Sequence, residues 1–238
     1  MNSKNRQKQI VEMFDNIAPT YDKTNRLLSM GIDISWRKSA CDETYKRYKK
    51  DIDLIVDVAC GTGDMMGYWK KQANKINRKI GKLVGVDPSC EMIKVAKKKF
   101  VQFEFIIGDA GTIPLKDKSA DILSISYGIR NVIERKDAFK EFARVLKTGG
   151  YLVILEFTKD DKKGFFFKIK EFYINKLLPK IGGFISKNRD AYEYLPNSID
   201  GFLTAKMIEK ELDDTGFSTE FVKSFSMNIS TLIIAKKR

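Results

Sequence analysis

From Asp53 onward, short apolar runs alternate with longer stretches of helical character. The apolar runs predict five strands, at 54–59, 82–86, 103–107, 122–126 and 151–157, the last after a turn at 148–150. Helices are predicted at 64–73, 89–99, 136–147 and 203–215. This alternation of strand and helix predicts a parallel sheet with helices on both faces.

The two ends of the chain extend this pattern. The N-terminal part is predicted to be helical and irregular, and two late runs at 217–224 and 230–235 predict a terminal antiparallel pair. A segment rich in aromatic residues and lysines interrupts the alternation after the fifth strand. We therefore predict a single α/β, Rossmann-like domain with a central, mostly parallel seven-stranded sheet. Its parts are an N-terminal helical lid (1–50), a ligand-binding core (51–159), a helical insertion (160–202) and a C-terminal helix with two strands (203–238).

Composition restricts the chemistry that this chain can perform. The chain has 238 residues and a hydrophobic share of 43%, which fits one globular domain with added elements. It contains no histidine, so the commonest general base and the commonest metal ligand are both missing. Cys41, Cys60 and Cys90 lack the spacing of a disulfide framework or a zinc site, and we expect no metal. Proton transfer therefore depends on a carboxylate, Tyr, Lys, Arg or water.

The formal charge is +13, from 44 basic and 31 acidic residues. Such a balance is typical of proteins that meet nucleic acid, an anionic membrane surface or an acidic small molecule, although a general lysine bias produces the same number. No apolar run reaches the roughly 20 residues of a membrane span, and the polar, basic N-terminus lacks an apolar signal region. We expect a cytoplasmic protein and leave open an association with the inner face of the membrane.

A glycine-rich loop follows the first predicted strand. Strand and loop read VDVACGTGD over 56–64, where Gly61 and Gly63 allow a tight turn and close approach of a ligand to the backbone. In an open parallel sheet, ligands bind outside the carboxyl ends of the strands. With Gly67 included, the loop also fits a dinucleotide fingerprint of variant spacing.

Charges around this loop distinguish a dinucleotide from S-adenosylmethionine as the bound cofactor. A dinucleotide places its pyrophosphate at the helix N-terminus after the glycines, where this chain has Asp64, with Asp57 close by. Carboxylates there oppose a phosphate but suit the ammonium group of S-adenosylmethionine, which has no phosphate. Asp87, after the second strand, is placed to accept hydrogen bonds from ribose hydroxyls. Asp109, after the third, can accept one from the adenine amine, and the backbone of Ala110 can reach the ring edge. Turn or helix-cap roles are the alternative for single members of this set.

Four longer segments connect the chain to a known family. They are FDNIAPTYDKTNRLLSMGIDISWRK (14–38), DVACGTGD (57–64), SISYGIRNVIERKDAFKEFARVLKTGGYLVILEF (124–157) and LLPKIGGFISKNRDAYEYLPNSIDGF (177–202). With them, the chain resembles the ubiquinone/menaquinone biosynthesis C-methyltransferases (UbiE/MenG family) over nearly its whole length. Cys60 stands where many relatives have Gly, and Thr148 where many have Pro. The resemblance implies the Rossmann-like fold of class I methyltransferases and S-adenosylmethionine as the methyl donor.

The resemblance also implies the acceptor and the cofactor contacts. The expected reaction methylates a ring carbon of a demethylated, reduced prenyl quinone, namely demethylmenaquinol, a ubiquinone precursor or both. Motif positions place cofactor contacts on Thr62 and Ser126 as well as on the residues after the second and third strands. With the loop residues, the predicted cofactor-binding set is Asp57, Gly61, Thr62, Gly63, Asp87, Asp109, Ala110 and Ser126.

Methylation at carbon requires activation of the ring, because the carbon becomes nucleophilic only once the neighbouring hydroxyl has lost its proton. The protein then has to position the ring and stabilise a phenolate. Arg130 and Asn131, after the fourth strand, are predicted to do this, with water carrying the proton away because guanidinium stays protonated. Asp109 and Tyr21 complete the predicted catalytic set. The alternatives are a structural ion pair for Arg130 and core packing for Tyr21.

A lipid-soluble acceptor predicts contact with a membrane. Apolar residues of the insertion fall at helical spacing among lysines, namely Phe165, Ile169, Phe172, Tyr173 and Leu177. A basic amphipathic segment of this kind can lie on an anionic bilayer, so we predict contact through 160–185, with a lid over the quinone tail as the alternative. An RNA methyltransferase and a non-enzymatic cofactor-binding protein are the rival functions. We expect no nucleic-acid partner and leave a homodimer open.

Overall fold

The computed structural model describes residues 2–159, 189–226 and 228–238. In this part of the chain, the helices are α1 (Ser3–Ile17), α2 (Tyr21–Leu28), α3 (Ile32–Arg47), α4 (Asp64–Lys75), α5 (Cys90–Lys99), α6 (Arg135–Val145), α7 (Arg189–Asp200) and α8 (Ala205–Asp214). The strands are β1 (Ile52–Val58), β2 (Ile80–Asp87), β3 (Glu104–Ile107), β4 (Ala120–Ser126), β5 (Leu146–Glu156), β6 (Phe217–Phe225) and β7 (Ser230–Lys237). A short 3₁₀ turn, Ile129–Asn131, follows β4.

The seven strands form one sheet in the order β3-β2-β1-β4-β5-β7-β6. Neighbours from β3 to β5 pair in parallel, and β7 runs antiparallel between β5 and β6. The mostly parallel seven-stranded sheet and the terminal antiparallel pair are therefore confirmed. The strand order reverses at β1, with β2 on one side and β4 on the other, so the loops after β1 and β4 lie side by side. Ligands of open α/β sheets bind at this kind of reversal.

Successive residues of the central strands face opposite layers of the core. On β1, Ile55 packs in the cluster that contains Trp69 of α4, whereas Val56 packs in the cluster that contains Phe139 of α6. Every residue of β4 up to Ile125 is buried. This two-sided burial explains why the strands appear in the sequence as continuous apolar runs rather than as alternating ones.

The largest correction to a predicted boundary falls between α6 and β5. We predicted a helix to 147, a turn at 148–150 and a strand from 151, but α6 ends at Val145 and β5 begins at once with Leu146. Pairing with β4 jumps from Ala120↔Leu146 to Ile122↔Tyr151, so the Gly-Gly pair forms an irregularity inside a long strand. Gly149 has φ +77°, a left-handed conformation that glycine adopts without steric cost.

The N-terminal helices pack beside the carboxyl edge of the sheet. A small apolar cluster joins Ile17, Leu28 and Met92, and Leu195 of α7 packs against it. Among the described residues, no helix combines the length and the apolarity needed to cross a bilayer. Nor does that part of the chain hold three or more Cys, Asp or Glu side chains grouped to bind a metal ion. The predicted amphipathic stripe of the insertion lies outside the described residues.

Candidate active site

A cavity of about 480 Å³ lies at the carboxyl ends of the parallel strands. The loops after β1, β2, β3 and β4 supply one wall, and α1 supplies another with Gln7, Ile10 and Phe14. A smaller pocket of about 40 Å³ adjoins it, bounded by α2, α3 and the loop after β1. The two spaces share four lining residues: Tyr21, Ala59, Gly61 and Ser126. One elongated ligand can therefore occupy both.

Two tight turns bring the loops after β1 and β4 together. Gly61 (φ +54°) and Gly63 (φ +80°) give the first loop its left-handed turns, as predicted. Ala59 and Tyr127, each directly after its strand, also have positive φ, which is rare for residues with a side chain. A Cβ on Gly128 would lie 2.6 Å from Ala59 Cβ, so the loops touch and only glycine fits there.

Asp57 and Ser126 line the smaller pocket from the ends of β1 and β4. Asp57 is buried and accepts a hydrogen bond from Ser124 Oγ at 2.6 Å. Loss of hydration raises the pKa of Asp57 to about 7, although that hydrogen bond and the nearby Arg37 act in the opposite direction. Ser126 Oγ is buried and has no hydrogen-bond partner within the part of the chain that the structure describes. Buried polar atoms are nearly always satisfied, so this pocket is shaped for a polar ligand group.

Asp87 and Asp109, both predicted to contact the cofactor, line the larger cavity, and both also hold loops in place. Asp87 accepts the backbone N–H of Gly61 (2.7 Å) and that of Ser89 (2.8 Å), and burial raises its pKa to about 6. Asp109 accepts the N–H groups of Gly111 and Thr112 and the Thr112 hydroxyl. The turn role that the sequence left as an alternative is therefore real for Asp109, alongside its place in the cavity wall. Ala110 lines the wall beside it.

Thr62 and Asp64 connect the first loop to the N-terminal helices. Thr62 Oγ1 donates to Asp22 Oδ1 at 2.6 Å. Asp64 is 2.7 Å from Arg26 Nη2 and also pairs with Lys99. Two cations thus already compensate the carboxylate of Asp64, which corrects the expectation that it is available to a ligand ammonium.

Arg130 is held in a buried ion pair. Its Nη1 donates to Glu156 Oε1 at 2.5 Å and to the carbonyl of Tyr127 at 2.9 Å, and its Nε donates to Ser198 Oγ at 3.2 Å. The side chains of Arg130 and Glu156 are only 7% and 1% exposed. Burial raises the pKa of Glu156, against the opposing effect of Arg130. The ion pair considered from the sequence is present, and Arg130 lies directly behind the cavity wall formed by Tyr127 and Asn131.

Asn131 and Tyr21 reach the cavity itself. Tyr194 donates its hydroxyl hydrogen to Asn131 Oδ1 at 3.0 Å, and Asn131 Nδ2 donates to the carbonyl of Tyr127 at 3.5 Å. These two contacts fix the orientation of the amide. Loss of hydration raises the pKa of Tyr21, and the charges of Arg130 and Arg37 lower it, so both guanidinium groups lie within electrostatic range. Tyr21 also packs edge-on against Phe14, so it combines a packing role with a place in the cavity wall.

Comparison with known proteins identifies the family. The sequence profile of the ubiE/COQ5 methyltransferase family matches residues 1–237. The chain belongs to this family. A ubiquinone/menaquinone biosynthesis C-methyltransferase UbiE from Campylobacter jejuni is 54% identical over 232 residues, or 98% of this chain and 99% of that relative. A demethylmenaquinone methyltransferase from Thermotoga maritima is 36% identical over 218 residues, or 92% of each chain.

Solved structures share the fold of this ubiE/COQ5 family member at low sequence identity. A possible histamine N-methyltransferase from Thermotoga maritima superposes with a TM-score of 0.64 and 20% identity, covering 96% of this chain and all of that one (100%). A SAM-dependent methyltransferase from Aquifex aeolicus gives 0.58 and 17% identity, with 83% of this chain and 89% of that one covered. At these identities the likeness shows the methyltransferase fold alone, and it confirms the predicted Rossmann-like class.

Sequence reasoning missed three residues that hold the catalytic candidates of this ubiE/COQ5 family member in place. Glu156 and Ser198 bind Arg130, and Tyr194 binds Asn131. The rule that selected acids after strands would have found Glu156, because it is the last residue of β5. The two residues of α7 lie in the 177–202 segment that carries the family resemblance, but that resemblance gave them no role, and the helix lies far from the strand ends along the chain.

Proposed function

We propose that this ubiE/COQ5 family member transfers a methyl group from S-adenosylmethionine (SAM) to a ring carbon of a demethylated, reduced prenyl quinone. Demethylmenaquinol is the first candidate acceptor, and a ubiquinone precursor is the second. The names of its relatives support this acceptor class. The observation that carries the proposal is the position of Asn131, which lines an acid-lined cavity just after β4, with the buried Arg130 beside it in the same 3₁₀ turn.

The residues present fit SAM, which supplies an electrophilic methyl group carried on a sulfonium. The larger cavity offers Asp87, Asp109 and the Ala110 backbone to a nucleoside. The smaller pocket offers an amino-acid end the buried carboxylate of Asp57 and the hydroxyl of Ser126, which has no partner among the described residues. No phosphate is called for, because carboxylates line both spaces.

The acceptor would be activated by polar groups beside the 3₁₀ turn. Asn131 and Tyr21 contact the cavity and can hold a ring hydroxyl by hydrogen bonds. Arg130, fixed by Glu156, contributes a positive charge that lowers the pKa of that hydroxyl and stabilises the phenolate. The hydroxyl proton leaves to water, because guanidinium stays protonated and cannot accept it. The ring carbon that gains the methyl group then loses its own hydrogen as a proton, and the phenolate oxygen regains one, so that one proton is released per methyl group transferred.

Product analysis with purified protein tests the proposal. SAM with a labelled methyl group is supplied with reduced demethylmenaquinone, with the reduced ubiquinone precursor or with unmodified tRNA, and products are identified by mass spectrometry. We expect one labelled methyl group on a quinol ring carbon. Label in tRNA alone would show the rival RNA activity, and SAM binding without any transfer would indicate the non-enzymatic rival.

We further propose that the protein meets its substrate at the cytoplasmic face of a membrane through 160–185. The support is the basic, amphipathic sequence of that segment, which lies outside the described residues. Flotation with anionic and with neutral liposomes at low salt checks this. Binding to anionic liposomes only is expected, and failure to bind them would contradict the contact.

A further inference from the structure

Arg37, on α3, is a buried cation with an unused donor at the smaller pocket. It is 9% exposed and lines the pocket together with Asp57 and Ser126. Its Nη1 donates to Asp33 Oδ2 at 2.6 Å. Its Nε is buried and has no hydrogen-bond partner among the residues that the structure describes. A buried, unsatisfied donor on a charged group is costly, so a ligand atom is its natural partner.

The second arginine of the pocket is engaged differently. Arg26 donates through Nη1 to Asp33 at 2.5 Å and through Nη2 to Asp64 at 2.7 Å, so two carboxylates already hold it. Asp33 also accepts the hydroxyl of Ser29, which leaves it shared among three donors. The positive charge of Arg37 is therefore less fully neutralised by protein carboxylates than that of Arg26, and Arg37 is the arginine that can bind an additional anion.

The pocket places opposite charges on facing elements. Asp57, at the end of β1, and Arg37, on α3, interact electrostatically across it. Ser126 Oγ, the other unsatisfied polar atom of the lining, lies at the end of β4. A zwitterion with an ammonium and a carboxylate on one carbon matches this arrangement, and so does the amino-acid end of SAM.

We infer that Arg37 binds the carboxylate of the cofactor's amino-acid end, with Ser126 as an additional donor and Asp57 opposite the ammonium. The inference rests on the proposed use of SAM and adds the residue that recognises one charged group of it. Arg37 lines the small pocket and not the larger cavity where Asn131 lies, so its anion is the cofactor carboxylate rather than the acceptor oxygen. A fork of guanidinium donors is the geometry that carboxylates prefer.

A structural role is the alternative explanation of Arg37. Its guanidinium carbon lies 5.0 Å from the centre of the Tyr127 ring, and Asp33 is an ion-pair partner one helical turn away. These contacts would hold the protein together with or without a ligand. They do not satisfy Nε, and they predict no preference for a ligand that carries a carboxylate.

Binding of two ligands that differ only in the carboxylate separates the two roles. Dissociation constants of SAM and of decarboxylated SAM are measured by calorimetry for the wild type, for Arg37→Gln and for the matched control Arg26→Gln. In the wild type, we expect decarboxylated SAM to bind roughly 30-fold more weakly. Arg37→Gln should reduce this ratio to about 1–3 by weakening SAM alone, whereas Arg26→Gln should leave the ratio near the wild-type value.

Each outcome decides the question. Equal affinity of the wild type for the two ligands overturns the inference without any variant, which matters if Arg37→Gln fails to fold. A ratio that stays high in Arg37→Gln also overturns it, because the carboxylate is then recognised elsewhere. A wild type that binds neither ligand contradicts the proposed function itself. Arg37→Lys, which keeps the charge but loses the fork, should give an intermediate ratio.

Discussion

On the proposed cofactor side of the active site, formed by Asp57, Arg37 and Ser126, charged and polar groups are buried without full compensation. On the proposed acceptor side, formed by Arg130 and Asn131, they are paired within the protein. Asp57 has a pKa raised to about 7, and Arg37 Nε and Ser126 Oγ lack partners in the described part of the chain. Arg130, by contrast, donates at 2.5 Å to Glu156, and both side chains are almost fully buried. The cofactor side therefore obtains its missing hydrogen bonds and opposite charges from a ligand, whereas the acceptor side already has them within the protein.

The two sides of the cavity thus prepare their polar groups for a ligand in different ways. Groups that bind a charged cofactor have to stay unsatisfied until it arrives, and this reduces the stability of the free protein. Groups that stabilise a phenolate have to be oriented before the substrate enters, and an internal partner does this. Removing a partner should therefore destabilise the acceptor side, while neutralising a charge should stabilise the empty cofactor side.

The largest effect is expected from Glu156→Gln, which removes the partner of Arg130 and leaves its charge buried and unpaired. Turnover should fall roughly 100-fold, and the melting temperature should drop, while the dissociation constant of SAM changes less than about threefold. Steady-state kinetics, calorimetry and thermal unfolding provide the three readouts. Glu211→Gln is the matched control, because it breaks the Arg135 pair between α6 and α8, with N–O distances of 2.7 and 2.8 Å. If both variants lost turnover equally, the pair at Arg130 would have no special role.

Asp57→Asn should separate binding from stability. Affinity for SAM should fall roughly 30-fold, because an amide cannot pair with an ammonium. The pKa of Asp57 is raised above that of the unfolded chain, so its ionisation costs stability as the pH rises from about 4 to about 7. The free variant should therefore melt about 3–6 °C higher than wild type at pH 7.5. A lower melting temperature would contradict the comparison of the two sides.

Affinity for SAM should weaken as the pH falls, because Asp57 becomes protonated. The groups that face it are Ser124, Arg37 and Asp87, and the net result is a pKa of about 7. Since the ammonium pairs with the ionised carboxylate, the dissociation constant of SAM should rise roughly tenfold as the pH falls from 7.5 to 6. Asp57→Asn should retain only the weaker dependence from Asp87, whose pKa is about 6. Calorimetry over this pH range measures the change. A dissociation constant of the wild type that does not vary with pH would contradict the prediction.

The smallest effect is expected from Tyr194→Phe. The change removes one hydrogen bond to Asn131 Oδ1 and leaves the apolar packing of the ring. Turnover should fall about threefold to tenfold with unchanged SAM affinity, because a neutral hydrogen bond that orients a side chain contributes about 1 kcal/mol. Single-turnover rates measure the loss. A change in SAM affinity instead would place Tyr194 on the cofactor side.

Much of the cofactor side could be predicted because its signals are local. The Gly-rich turn, with Gly61 and Gly63 at positive φ, and the acids after β2 and β3 are all coded within a few residues of a strand end. Parallel strands bring such ends together whatever the rest of the chain does. The exception is Asp64, which belongs to the loop by sequence but pairs with Arg26 and Lys99 in space.

By itself, the sequence determined the fold class, the edge of the sheet where the cavity lies and the kind of cofactor, because strand periodicity, glycine conformation and the sign of a charge are properties of short segments. Only the tertiary structure decided which charges are satisfied. It joined Arg130 to Glu156, gave Asn131 a partner on α7 and left Arg37 Nε without a hydrogen-bond partner in the part of the chain that is described. Pairing and burial depend on elements that are distant along the chain, and no local pattern records which of them meet.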